Sequence, residues 1–179
     1  MLLLVMLAGI ATWTLAEYLL HRFLGHVHKG KNFFKAEHQQ HHAKANYFAP
    51  AYKKAMLAGF TVLLMVLFIS LFTTVSVAVA FTAGFAGMYL LYEATHYRYH
   101  AAEPVAMPFV ALRKHHFYHH FHNPKMNHGV TTRFWDRVFG TFRTTEQVNI
   151  PRQMQLNWLM EGDHIKPAYA QHFRLTGRQ

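Results

Sequence analysis

The chain has 179 residues, 52% of them apolar, with 18 Lys and Arg against 8 Asp and Glu, 16 His and no Cys. The apolar and aromatic content excludes disorder, and the length allows one domain or one compact membrane unit. The lack of cysteine excludes disulfides, thiolate-bound haem, cysteine-ligated iron–sulfur clusters and a cysteine nucleophile.

The first predicted element covers about residues 2–20, an apolar run whose single charge is Glu17. A cleaved signal peptide is the alternative reading, but a positive leading region and a clear small-residue cleavage site are both missing. Residues 21–54 then carry seven Lys and Arg. The next 41 residues, 55–95, contain no Lys or Arg and one acid, Glu93. Because about 20 apolar residues cross a hydrocarbon core of about 30 Å, this run crosses twice, at about 55–72 and 76–95. Its most polar point, Phe72-Thr73-Thr74-Val75-Ser76, is the turn. Residues 96–179 hold the other eleven Lys and Arg. Three crossings put both basic stretches on one side, and the positive-inside rule makes that side cytoplasmic. Anionic lipid head groups account for a basic face there. Nucleic acid is discounted as a partner, since nothing separates a base-reading surface from a lipid-facing one.

The predicted architecture is therefore all-α: an integral membrane bundle of about three spanning helices, forming one membrane domain over residues 1–179. A cytoplasmic helical cap, 21–54 and 96–142, carries a histidine-rich dimetal site. Residues 143–179 read as a polar, basic tail whose most apolar patch is Trp158, Leu159 and Met160. The bacterial inner membrane or the endoplasmic reticulum suits this layout.

Histidine, at 16 of 179 residues, falls into four clusters. The first span runs out into His21 and His26, and His38, His41 and His42 follow. The third span runs out into His96 and His100, and His116, His119 and His120 follow. The pattern repeats: a helix, a spaced pair, then His-x-x-His-His. Residues three and four apart share a helical face, so each box converges. His21 and His26 are five apart, which suits a continuous α-helix poorly, and Gly25 offers a break that re-aims His26. His115, four residues before His119, is an alternative to His116. Ten imidazoles suit two first-row ions of four to six ligands each, with room for an exogenous ligand. Ligand type alone does not choose among Fe, Zn, Cu and Ni. A bis-histidine haem wants facing His inside the bilayer, whereas these lie at helix ends and beyond. Glu17 and Glu93 precede His21 and His96 by four and three residues. Carboxylates so placed can take the second ring N–H of a metal-bound His. Glu37 reads as a solvated charge, and His28, His122, His128, His164 and His172 lie outside the pattern.

The chain resembles the fatty acid hydroxylase/sterol desaturase superfamily of membrane histidine-box enzymes. The resemblance runs from Glu17 to about Phe142. It rests on Glu17-Tyr-Leu-Leu-His21-Arg22, the two His-x-x-His-His boxes, Thr95-His96-Tyr97-Arg98-Tyr99-His100, and the segment from Asn127 to Thr141 with its Phe134-Trp135-Asp136. The chain departs from the family in lacking a further N-terminal span that many members have, and in His128 at a position that often carries an aromatic residue. The resemblance implies two irons held by the ten His, O2 as co-substrate and hydroxylation of a C–H bond on a lipid acyl chain. The carbon next to the carboxyl, as in fatty acid 2-hydroxylation, is a candidate position. Desaturation is the variant in which a second hydrogen is lost. No catalytic residue separate from the metal centre is implied, and zinc can fill such a nitrogen site in a purified sample. With no glycine-rich dinucleotide fingerprint, electrons are expected from a separate donor, a cytochrome b5-like protein or a ferredoxin system. The rivals are a carotenoid hydroxylase or sterol-type oxidase of the same superfamily and, from another class, a membrane metal-binding or transport protein. A transporter is expected to place ionisable ligands inside its spans, and these spans hold almost none.

Overall fold

A computed structural model describes residues 1–177. Helix α1 (Leu2–Leu19) continues without a break into a π-helical stretch, Leu20–Val27. Then come α2 (Phe33–Ala43), α3 (Ala51–Ser70), α4 (Val75–Ala101), α5 (Met107–Phe121) and the short α6 (Phe134–Val138). Among the described residues, four short strands follow: β1 (Val148–Pro151), β2 (Met160–Glu161), β3 (His164–Ile165) and β4 (Phe173–Thr176). Among the described residues, three helical segments are long and apolar enough to cross a membrane: Leu2–Val27, Ala51–Ser70 and Val75–Ala101. The expected turn near Thr74 falls between α3 and α4. Helix α4 runs six residues beyond the predicted end of the third span, because no Gly or Pro interrupts Thr95–Ala101.

The chain forms two compact units. The first comprises Met1–Glu17 and Ala49–Ala94. Its α1 and α4 meet backbone to backbone. A Cβ on Gly9 would sit 2.0 Å from the Phe81 carbonyl oxygen, and one on Gly84 would sit 2.0 Å from that of Met6. Small residues that let helices touch are the usual device where lipid removes the hydrophobic drive for association. Trp13 packs edge-on against Phe85 and Tyr89 at 5.1 and 5.0 Å. Helix α3 buries none of its side chains, leaving Phe60, Leu64, Leu67 and Phe68 open. That much exposed apolar surface is unfavourable in water and ordinary in lipid. Lys54 donates to Glu93 Oε2 at 2.5 Å.

The second unit comprises Tyr18–Phe48 and the chain from Thr95 onward. Helix α2 starts where the Asn32 side chain accepts the Lys35 N–H at 2.7 Å, an N-cap of the favoured type. The stretch after residue 143, expected to be a polar tail in an all-α protein, holds the four strands. Strand β1 pairs in parallel with β4, Val148 opposite Phe173 and Ile150 opposite Leu175. Alternation explains this: Val148 and Ile150 turn inward with Leu156, Trp158, Leu159 and Phe173, all buried, while Asn149 between them is half-buried. The apolar residues are too sparse to read as a core until they are gathered from across positions 148 to 173. The buried Arg113 of α5 joins this core to the end of α4. Its guanidinium lies 4.6 Å from the Trp158 ring, and it donates to the carbonyls of Tyr99 and Ala102.

Candidate metal centre

The ten histidines of the four clusters assemble into two groups of five, all within the second unit. One contains His21, His26, His38, His42 and His119, and the other His41, His96, His100, His116 and His120. Within each group one nitrogen per ring lies within 4.8 Å of all the others. The groups are neighbours: the His42 ring of the first stacks on the His120 ring of the second, with centroids 4.2 Å apart and planes 11° from parallel.

Helix periodicity decides which ring goes where. On α2, His38 and His42 are four apart and join the first group, while His41 points to the second. On α5 the roles exchange: His116 and His120 join the second group and His119 the first. The π-helical stretch supplies both its histidines to the first group, and α4 supplies both of its own to the second. Each His-x-x-His-His box thus serves both groups, two rings to one and one to the other. His21 and His26 reach the same group because the wider π-helix brings residues five apart onto one face; His28 N–H bonds the Phe23 carbonyl at 2.7 Å in that pattern. Gly25 therefore does not break the helix. Its missing side chain makes room for His38, whose Cδ2 would stand 3.0 Å from a Cβ there.

The nitrogens approach as ligands of a common ion do. His26 Nε2 lies 2.8 Å from His38 Nε2 and 2.9 Å from His119 Nε2, and His119 Nε2 lies 3.1 Å from His42 Nε2. In the other group His100 Nε2 and His116 Nε2 are 2.9 Å apart. An ion about 2.1 Å from each nitrogen puts adjacent donors of an octahedron roughly 3.0 Å apart and opposite ones about 4.2 Å apart. Sets confined to 4.8 Å thus need a contraction of at most about 0.6 Å. His21 Nε2 and His120 Nε2 are buried with no hydrogen-bond partner, a costly arrangement that a bound cation relieves. Burial, followed by repulsion from neighbouring imidazoles, holds His38, His116, His119 and His120 well below the ordinary value of 6.5. The same causes lower His42 to about 3. At neutral pH these rings are uncharged, the form that ligates a metal. The donor set fits two first-row ions.

The groups that fix the tautomers are backbone carbonyls. His21 Nδ1 donates to the His128 carbonyl at 2.5 Å, His41 Nδ1 to that of Tyr47 at 2.7 Å and His119 Nδ1 to that of Met126 at 2.7 Å. Each bond leaves Nε2 as the lone-pair nitrogen. The orienting place expected for Glu17 beside His21 is taken by His128 O, and Glu93 accepts from Lys54 in the first unit. Glu37 is tied to the Tyr47 hydroxyl at 2.5 Å, not merely solvated. His115 turns away from both groups and donates from Nε2 to Asp136 at 2.9 Å. His128, set aside on sequence, is buried with its ring 5.2 Å from that of His119, outside both groups of five. The sequence places Asp136 in the Asn127–Thr141 signature without giving it a role. The signal available was one acid in the otherwise basic stretch from 113 to 143.

The fatty acid hydroxylase family model matches residues 6–141, more than half the chain. The chain belongs to the fatty acid hydroxylase family. Among similar proteins, it is 34% identical over 142 residues to the dihydroceramide fatty acyl 2-hydroxylase FAH2 of Arabidopsis thaliana, a match covering 74% of this chain and 58% of that one. It is 35% identical over 147 residues to the fatty acid 2-hydroxylase of Rattus norvegicus, covering 74% of this chain and 38% of that one. A solved structure of full-length Scs7p, in which only the hydroxylase domain is visible, superposes with a TM-score of 0.61 at 27% identity, over 79% of this chain and 56% of that one. This fatty acid hydroxylase chain thus spans between about two-fifths and three-fifths of the length of these relatives.

Proposed function

We propose that the chain is an O2-dependent di-iron hydroxylase acting on a C–H bond of a lipid acyl chain. The observation that carries this reading is the pairing of two adjacent five-histidine groups in a chain of the fatty acid hydroxylase family. The relatives named as fatty acid and dihydroceramide fatty acyl 2-hydroxylases favour the carbon next to the carboxyl. A reduced iron pair, when bound, supplies activation of O2 for attack on an unactivated C–H bond. His21, His26, His38, His42 and His119 would hold one ion, and His41, His96, His100, His116 and His120 the other.

The protein's own part is to bind and to exclude. Neutral imidazoles leave each site's full positive charge uncompensated by ligands, and the carbonyl contacts to His21, His41 and His119 keep the tautomers that ligate through Nε2. The stacked His42 and His120 rings set the two groups side by side. The apolar stretch of α4 runs on in one helix into His96 and His100. Electrons come from a separate cytochrome b5-like or ferredoxin donor, and the histidine groups face the cytoplasm, where the basic segments lie.

Anaerobic loading of the purified chain with Fe2+, addition of a surrogate reductase and exposure to 18O2, followed by mass spectrometry of total lipid, tests the reading. One 18O atom in a hydroxy fatty acyl product is expected. Unlabelled lipid from a chain carrying two irons contradicts it, as does turnover with NAD(P)H and no donor protein.

A further inference from the structure

The buried carboxylate of Asp136 collects four donors. Its Oδ1 accepts the His128 N–H and the Thr141 hydroxyl, each at 2.8 Å, and its Oδ2 accepts the Gly129 N–H at 2.8 Å and His115 Nε2–H at 2.9 Å. Burial alone raises such a carboxyl, yet these hydrogen bonds outweigh it and hold Asp136 below the ordinary carboxylate value. The segment it grips also supplies two of the carbonyls described above. Met126 O takes His119 Nδ1, and His128 O takes His21 Nδ1. Both rings belong to the same group of five. In the other group the contact to His41 comes from Tyr47, and Nδ1 of His100, His116 and His120 has no partner.

The grip extends to the helix that carries His21. Thr141 gives its only proton to Asp136, so the Tyr18 hydroxyl donates to Thr141 at 2.9 Å, and Arg22 donates to Tyr18 at 2.8 Å. Tyr18 and Arg22 flank His21. On the loop side, Asn127 adopts φ 57° and is held by Thr141 O and by Arg143, through bonds of 3.0, 2.9 and 2.7 Å. Gly129 has no space for a side chain: a Cβ would stand 2.0 Å from Thr132 O and 3.0 Å from Asp136 Oδ2.

We propose that Asp136 is a positioning residue for one metal site only, fixing the carbonyls that aim His21 and His119 while leaving the site built on His41, His96, His100, His116 and His120 untouched. The proposal rests on the two-ion reading above. An amide cannot replace the carboxylate, because its NH2 would face the Gly129 N–H in one orientation and the His128 N–H in the other, leaving a buried donor unmatched either way.

The test is Fe2+ alone, added anaerobically to the full chain in detergent, with bound metal counted by mass spectrometry and affinities taken by chelator competition. Wild type is expected to hold two ions. Asp136→Asn is expected to hold one as tightly as wild type and the second about 10–100-fold more weakly, the usual consequence of removing an outer partner of a ligand. Gly129→Ala, which pushes on the same carboxylate, and Thr141→Val, which removes one donor, are read the same way should Asp136→Asn fail to fold. Asp136→Glu partly restores the second ion. Two ions at wild-type affinity in all these variants overturn the proposal, and so does equal weakening of both sites, which marks a role in the fold as a whole. A wild-type chain that binds no metal overturns the two-ion reading itself.

Discussion

The two histidine groups use the same ligands and nearly the same sequence pattern, yet they are built differently. In the His41 group, His41, His100 and His116 are all buried, whereas in the His21 group only His21 and His119 are, and His26, His38 and His42 are half-buried. Two of the five rings in the His21 group are aimed by a loop that a buried carboxylate holds. The His41 group draws its rings from the packed ends of α4 and α5 and one ring of α2. A site assembled from helix faces inherits their rigidity; a site that borrows its orientation from a loop is only as firm as that loop. An ion held by the His21 group is therefore expected to exchange the more readily of the two.

Ligand removal is the harshest way to break this comparison. His119→Ala is expected to cost the ion of the His21 group, and His116→Ala the ion of the His41 group, each abolishing hydroxylated lipid. Metal counting on both variants checks that one ion survives each time; loss of both ions from either shows the groups are not separate sites.

Acid sharpens the comparison next. The unfolded chain carries His at about 6.5, whereas folding holds His42 at about 3 and His38, His116, His119 and His120 well below 6.5. A depressed folded value means that the unfolded chain takes up protons first, so the stabilising contribution is complete above about pH 6.5 and is lost as pH falls toward 3. Each such histidine contributes a slope of up to ~1.4 kcal/mol per pH unit in that window. Denaturant titrations of the metal-free chain are expected to show stability falling steadily below pH 6.5. Stepwise acidification of the loaded chain is expected to release one ion before the other, from the half-buried group. Simultaneous release contradicts the difference.

Smaller effects follow from the supports around each group. Arg113→Ala removes charged donors from the carbonyls that end α4, next to His100, and uncovers Trp158. About 2 kcal/mol of stability is expected to go with it, read as a lower midpoint in thermal unfolding. Arg113→Lys restores little, since an ammonium cannot both stack on Trp158 and span two carbonyls. Gly25→Ala acts on the other group, pressing on His38. A loss of affinity of about threefold for one ion is expected, smaller than an outer-partner deletion, because His38 can yield by a few tenths of an ångström.

The long apolar helices and the gathering of the ten histidines were legible because both are written in periodicity: apolar runs long enough to cross a bilayer, and imidazoles three and four residues apart. What the sequence concealed was set by the backbone or by distance along the chain. The π-helical turn that joins His21 to His26 leaves no composition signal, and Gly25 looks the same whether it breaks a helix or admits a neighbouring ring. Carbonyls that orient His21, His41 and His119 belong to residues of any type, so the acids nearest in sequence, Glu17 and Glu93, drew the attention. Asp136 meets its partners at 115, 128, 129 and 141 only after folding, and the strands near the C-terminus are too short for their alternation to stand out in the sequence.

The central claim is that each group of five encloses one ion. Anomalous diffraction at the iron edge, on crystals of the anaerobically loaded chain, tests it most directly. The account predicts two iron peaks, one bounded by His21, His26, His38, His42 and His119 and the other by His41, His96, His100, His116 and His120. A single peak shared between the groups, or iron bound elsewhere with the ten imidazoles unligated, contradicts it.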